Sequence, residues 1–271
     1  GMAHSRPALE LADGARVARY AAGRDYHNLM GKKLARLARR LQREGAIGRG
    51  RSIVDAGPLL ERSHAEAAGI GFASKAANLL HPDFGPWFFL GELIVDVELA
   101  PTEAPVSGSC GTCTACIDAC PTAAIEGPGV VDARRCISYQ TIENRGPVPH
   151  ELRAALGDWA FGCDVCSEVC PFGDRADDLG ARFGLHRGLE SSSMVAWLDS
   201  GDELDGVLAG SPLRRAKRAG LARNAALVLG NRPSGPGRQA LLRALGNDPS
   251  PLVREAAAWG LAQGHGADAG T

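Results

Sequence analysis

Cys110-Gly-Thr-Cys113-Thr-Ala-Cys116-Ile-Asp-Ala-Cys120-Pro121 and Cys163-Asp-Val-Cys166-Ser-Glu-Val-Cys170-Pro171 decide how the rest of the chain is read. The first run is C-x2-C-x2-C-x3-C-P. The second keeps C-x2-C-x3-C-P and lacks a cysteine three residues upstream. Of the eight cysteines only Cys136 lies outside the runs, and it falls between them. Close spacing turns three thiolates inward from one tight loop, and the trailing proline keeps the backbone from crossing back over what they hold.

This is iron–sulfur spacing, and in two-cluster runs of this kind the fourth cysteine serves the other cluster. The exchange assigns Cys110, Cys113, Cys116 and Cys170 to one [4Fe-4S] cluster, and Cys120, Cys136, Cys163 and Cys166 to a second. The alternatives are a zinc ribbon, which uses C-x2-C pairs without the third cysteine and the proline, and disulfides, which need an oxidising compartment.

The 271 residues, 45% of them hydrophobic, suffice for one large domain or two to three small ones. No apolar run approaches the roughly 18 residues of a membrane span, and no apolar signal core is present. Reduced thiols without an export signal read as a cytoplasmic, soluble protein with no membrane partner. Gly1 ahead of Met2 reads as an expression remnant, with Met2 as the encoded start. The net charge of −1 hides segregation: residues 1–54 carry +8, residues 55–205 carry −15 and residues 206–271 carry +6. Basic ends around an acidic middle could grip a polyanion; the alternative is Arg-rich helices with solvated faces.

Residues 14–27 gather Arg16, Arg19, Tyr20, Arg24, Tyr26 and His27, a stretch suited to a cofactor or an anion, or to a turn before a helix. From Asn28 the pattern is helical, with Met30, Leu34, Leu37 and Leu41 on one stripe and Gly45 at its end. Arg51-Ser-Ile-Val-Asp55 reads as a short buried strand, followed by a helix from Leu59 to Ala68 with Pro58 in its first turn. On these residues alone Asp55 is a helix-capping aspartate, although a strand end is also where α/β folds place chemistry. Trp87 to Leu99 is strand material, with Leu93, Val95, Val97 and Leu99 on a buried face and Gly91 at a bulge or close approach. Lys75 reads as a surface residue in the preceding loop, and Pro101 and Pro105 as a linker.

Val130 to Glu143 predicts a short strand feeding a helix that delivers Cys136, and residues 137–162 a wall beside a cluster. Beyond residue 176 the chain turns helical. Arg223-Asn-Ala-Ala and Arg254-Glu-Ala-Ala lie 31 residues apart, and Asp248-Pro-Ser-Pro precedes the second like the turn of a HEAT repeat. Two unrelated amphipathic helices are the alternative. Arg214, Arg215, Lys217 and Arg218 load positive charge where this tail begins.

The cysteine set, Tyr20-Ala-x-Gly-Arg-Asp-Tyr-His27, Val54-Asp55-x-Gly-Pro-x-Leu-Glu61, Trp87-Phe-Phe-Leu-Gly-Glu92 and Arg135-Cys136-Ile-Ser-Tyr139 follow one another in the order of the epoxyqueuosine reductase family, which the chain resembles. The resemblance implies a cobalamin-dependent, two-cluster reductase acting on epoxyqueuosine at the tRNA wobble position. It implies electrons from an external donor passing through the clusters to cobalt, with Asp55 as the acid that protonates the departing oxygen. Corrin contacts fall to Arg24, Tyr26, His27 and Ser138, and the basic ends to the tRNA anticodon region. Family members carry on the order of a hundred further residues ahead of the Arg-Tyr-Ala segment, by typical domain sizes, which supply strands of the cobalamin-binding sheet. Ser74-Lys-Ala-Ala77 stands where Gly-Lys-Asn-Thr is usual, keeping Lys75 but losing two polar side chains.

The expected fold is α+β: a partial α/β cobalamin-binding region over 1–105, a ferredoxin-like two-cluster domain over 106–175 and a HEAT-like helical tail over 176–271. Two other functions remain open on sequence: an electron-transfer protein that has lost corrin binding, and a related reductase of another substrate.

Overall fold

The computed structural model describes residues 2–3, 9–101, 108–173, 183–190 and 192–263, a mixture of helix and sheet. Pro105 and the boundaries expected at 105/106 and 175/176 lie outside the described residues.

The long helix is Tyr26–Arg43. It starts ahead of the expected Asn28 because Asp25 caps it, its carboxylate accepting the His27 N–H. Met30 and Ala38 are buried, but Leu37 is 44% exposed, so the apolar stripe is narrower than its spacing suggested. The helix packs on a two-stranded antiparallel ribbon, Gly50–Ile53 against Glu92–Val95, in which Ile53 faces Glu92. Gly91 lets the ribbon come close: a methyl there would stand 3.0 Å from Met30 Cε and 3.1 Å from Leu34 Cδ1.

The strand expected from Trp87 to Leu99 is two short pieces, Phe88–Phe89 and Glu92–Val95. Alternation ends at Val95. Val97 and Leu99 are 39% and 69% exposed, because among the described residues no partner strand extends beyond Gly50. The helix after Asp55 begins only at Glu61, which leaves Pro58 in the preceding bends and frees the Asp55 segment as a loop.

A three-stranded sheet ties distant parts of the chain together. Arg16–Val17 pairs in parallel with Trp159–Phe161 and antiparallel with Leu9–Glu10. The same core continues from Leu11 and Val17 through Leu156 and Phe161 into Leu221, Leu227 and Val253. Cys136 stands at the N-cap of helix Ile137–Ile142, fed by the hairpin Ile125–Gly127 and Val130–Val131.

Helices Lys217–Asn231, Gly235–Asn247 and Pro251–Gln263 pack together; a methyl on Gly230 would lie 2.6 Å from Gly260 Cα, so two helix backbones nearly touch. The two Arg-x-Ala-Ala starts have different fates. Arg223 is buried and bonds to the carbonyls of Gln140, Asn144 and Gly146, whereas Arg254 bonds to Asp248 and Pro249 carbonyls in the adjoining turn. Part of the positive charge expected to face outward is also paired, Arg215 with Glu143 and Arg218 with the buried Asp248. Among the described residues no helix is long and apolar enough to cross a membrane.

Candidate cluster sites and active site

The thiols line two cavities. A small one is walled by Cys110, Cys113, Cys116, Cys166 and Cys170. A second, of about 560 Å³, is walled by Cys120, Cys136, Cys163 and Cys166. Seven of the eight thiols line one cavity each, grouped as expected from the exchanged fourth cysteine, while Cys166 lines both. Short helices Ala115–Asp118 and Val165–Glu168 turn the middle cysteines inward, and each run ends in a turn at its proline.

All eight cysteines are free of disulfides. Among the described residues no three His, Cys, Asp or Glu side chains converge as a single metal ion requires, so the thiols ring two spaces instead of closing on a point. The donor set fits two multinuclear clusters. Burial, with the charge of Cys136 beside it, pushes the Cys166 thiol up to about 12, and burial raises Cys163 further. Iron would be needed to hold these groups as thiolates. Burial opposes ionisation of Cys120 too, yet the N–H groups of Ala124, Ile125 and Thr122 hold it below its ordinary value, Ala124 N lying 3.3 Å from the sulfur.

A third cavity of about 420 Å³ is lined by Tyr26, Asp55, Glu61 and Phe89, and it shares Arg62, Phe88 and Leu90 with the 560 Å³ cavity. The two cavities therefore adjoin at Arg62, Phe88 and Leu90, with the second thiol set and an apolar wall of Leu79, Trp87, Phe88 and Ile137 in one and Asp55 in the other. The cavity at the cysteines is mostly apolar and the one at Asp55 more polar, and together they have the size for a large cofactor.

Asp55 is held in the left-handed region at φ 46°, which Asp tolerates better than most residues. Glu61 Oε1 accepts its N–H at 2.8 Å, and Tyr26 donates its hydroxyl to Asp55 Oδ2 at 2.7 Å. Tyr26 itself is stacked on Phe89 at 4.1 Å. Burial, then the bond to Asp55, keeps the Tyr26 phenol un-ionised far above its ordinary range. The Asp55 side chain is 68% exposed, so the burial expected of an acid is not supplied by these residues. Glu61 does feel it: burial and the neighbouring Asp55 raise its carboxyl, against the hydrogen bond from the Asp55 N–H.

The four residues expected at the corrin have different placements. Ser138 borders the 560 Å³ cavity, Tyr26 the adjoining one, and His27 Nε2 lies 3.9 Å from Asp55 Oδ2. Arg24 borders neither; its backbone N–H binds the Phe183 carbonyl. Sequence reasoning missed Glu61 as the anchor of the Asp55 loop, although a Glu six residues on was visible. It also missed Lys75, whose ammonium reaches the Gly111 and Cys113 carbonyls.

His27 Nδ1 lies 2.7 Å from Asp25 Oδ1. That hydrogen bond raises the His27 pKa against the cost of burial, and hydrogen bonds from His27 lower Asp25 although burial opposes it. A raised imidazole contributes stability below its unfolded value of about 6.5 and loses it as pH rises through the folded value; a depressed carboxylate contributes above about 3.9 and loses it as pH falls through the folded value. Thermal melts of His27→Asn and the parent should therefore differ most between about pH 4 and 6.5. A difference that stays constant from acid to alkaline pH would contradict the pairing.

Residues 109–173 match the model for the 4Fe-4S double cluster binding domain, and residues 2–56 the model for epoxyqueuosine reductase QueG, DUF1730. The epoxyqueuosine reductase of Pseudomonas aeruginosa is 45% identical over 255 residues, covering 93% of this chain and 71% of its own length. That of Xanthomonas campestris is 45% identical over 266 residues, covering 94% and 73%. Among solved structures, an epoxyqueuosine reductase with an epoxyqueuosine-modified tRNA-Tyr stem loop superposes with a TM-score of 0.84 at 31% identity, covering 97% of this chain and 70% of that one. The Bacillus subtilis enzyme, with its aspartate-bearing catalytic loop swung out of the active site, gives 0.82 at 30% identity, covering 97% and 71%. With the double-cluster domain in place and these identities sustained across more than nine-tenths of its length, the chain belongs to the epoxyqueuosine reductase family.

Proposed function

We propose that this chain reduces the epoxide of epoxyqueuosine at the tRNA wobble position to the alkene of queuosine. The net change consumes two electrons and two protons and releases water. The observation that carries the reading is the pair of adjoining cavities, one walled by the second thiol set and the other by Asp55, that share Arg62, Phe88 and Leu90. Cobalamin, when bound there, supplies the electron-rich metal centre that breaks the carbon–oxygen bond. Ser138 and Tyr26 would hold it at its edges, with His27 close by, while the apolar wall keeps water away.

Asp55 is the proposed proton donor. It sits on a loop, anchored through its N–H by Glu61 and through its carboxylate by Tyr26, so the carboxyl can be aimed while its second oxygen stays available. Since the chain leaves it exposed, desolvation would come from bound cofactor and substrate. The clusters form a ferredoxin-like relay that takes one electron at a time from an external cytoplasmic donor. The exposed Lys32, Lys33, Arg36, Arg39 and Arg43 on the long helix, with Arg214 and Lys217 where the HEAT-like tail begins, suit the phosphates of an anticodon stem. The division into a cofactor region (1–105), a relay (106–175) and a tail (176–271) follows these roles.

The test is anaerobic incubation of the chain, loaded with iron, sulfide and cobalamin, with epoxyqueuosine-containing tRNA and a low-potential reductant, followed by nucleoside analysis. Queuosine should accumulate. Loaded protein that leaves epoxyqueuosine unchanged would overturn the reading in favour of a bare electron carrier or a reductase of another substrate.

A further inference from the structure

The hairpin turn Ser74 to Asn78 walls both thiol-lined cavities. Ser74, Ala76 and Asn78 border the first, and Ala76, Ala77 and Asn78 border the second. From this one turn Lys75 Nζ donates to Gly111 O at 2.8 Å and to Cys113 O at 2.9 Å, both inside the first cysteine run. Three residues on, Asn78 Nδ2 lies 3.9 Å from Cys166 Sγ of the second set and 3.4 Å from Ser167 Oγ.

The turn is firmly held. Ser74 is buried, exchanges hydrogen bonds with Asn78 (Ser74 N to Asn78 O at 2.8 Å, Asn78 N to Ser74 Oγ at 3.1 Å) and accepts from Ala77 N. Gly129 N binds the Lys75 carbonyl at 2.9 Å, fastening the turn to the hairpin that leads toward Cys136. Neither Lys75 nor Asn78 borders the cavity that holds Asp55, so the proposed proton chemistry leaves both unused.

We propose that this turn sets the reduction potentials of the two clusters separately, Lys75 raising that of the first and Asn78 that of the second. Reduction adds one negative charge to a cluster. An ammonium fixed on the carbonyls of its binding loop stabilises that charge, and an N–H directed at a ligand sulfur draws charge off the thiolate; net charge and hydrogen bonds to sulfur are the levers that set such potentials. Because the two donors project from one rigid turn to different clusters, the protein can adjust the step between them without changing a cysteine. The proposal rests on the double-cluster domain and on neither cobalamin nor tRNA.

Anaerobic potentiometric titration followed by electron paramagnetic resonance tests it on the full chain with both clusters reconstituted, each cluster taking one electron from dithionite through mediator dyes. Cys113→Ser and Cys136→Ser identify which signal belongs to which cluster. Lys75→Met should lower the first midpoint by about 59 mV, a tenfold change for a one-electron couple, and leave the second in place. Asn78→Leu should do the converse, and Lys75→Arg should keep the parent value. Iron content confirms that each variant carries both clusters. Unchanged midpoints, equal shifts of both clusters in either variant, or the same loss in Lys75→Arg as in Lys75→Met would each overturn the proposal.

Discussion

Asp55→Asn should slow epoxide reduction by about 10²- to 10⁴-fold, the usual contribution of a positioned general acid, while iron content and cobalamin binding stay at parental levels. Asparagine has nearly the same shape, can accept the Tyr26 hydroxyl and leaves the Asp55 N–H free to bind Glu61. What it cannot do is give up a proton. An epoxide oxygen that departs unprotonated leaves as an alkoxide, so the loss should appear in the single-turnover rate more than in the tRNA concentration needed for half-saturation. The supporting shell predicts a graded series: Tyr26→Phe removes one hydrogen bond that orients the carboxyl but no proton source. Its loss should be smaller than that of Asp55→Asn. Turnover by Asp55→Asn within about threefold of the parent would exclude the acid role.

Arg223→Met should cost about 3 kcal/mol of stability, which at this chain length is a fall in melting temperature on the order of 6–12 °C. The guanidinium is 1% exposed and donates to the carbonyls of Gln140, Asn144 and Gly146 and to Asn224 Oδ1. Burial, and repulsion from Arg145 and Arg153, lower its pKa to about 10, so it stays charged at neutral pH. Methionine relieves the cost of a buried charge but strands three carbonyls, and the second effect is the larger. Those carbonyls sit on and just after the helix that follows Cys136, and Asn224 holds the same helix through Thr141 O, at 2.8 Å. The variant should accordingly lose iron from the second cluster faster than from the first. A melting temperature within about 2 °C of the parent would show that this clamp contributes little.

The two cysteine runs told the most, because thiolate spacing is local chemistry: three ligands from one loop leave their mark in consecutive residues. The exchange of the fourth cysteine and the role of Cys136 followed by count; in the structure seven of the thiols line one cavity each and Cys166 lines both. The Asp55 loop was only half legible. Its strand was visible, but Glu61 as its anchor depends on the helix starting six residues beyond Asp55, and Pro58 suggested an earlier start. Leu93 to Leu99 alternates as a buried strand would. Alternation describes one face, however, and says nothing of whether a partner strand exists to cover it, which past Val95 none does among the described residues. Lys75 and Arg223 were read as surface charge and repeat consensus because their partners are backbone carbonyls distant in sequence, and carbonyls carry no residue identity.

The central claim is that one chain seats a corrin between its second cluster and Asp55, and a cobalamin titration of the iron-loaded protein tests it most directly. Anaerobic reconstitution with about eight irons per chain, as two [4Fe-4S] clusters require, followed by the ultraviolet–visible titration, should show corrin bound in a one-to-one ratio. Filling the shared wall with Leu90→Trp should weaken that binding without loss of iron. Protein holding both clusters and binding no corrin would contradict the account and leave the chain an electron carrier.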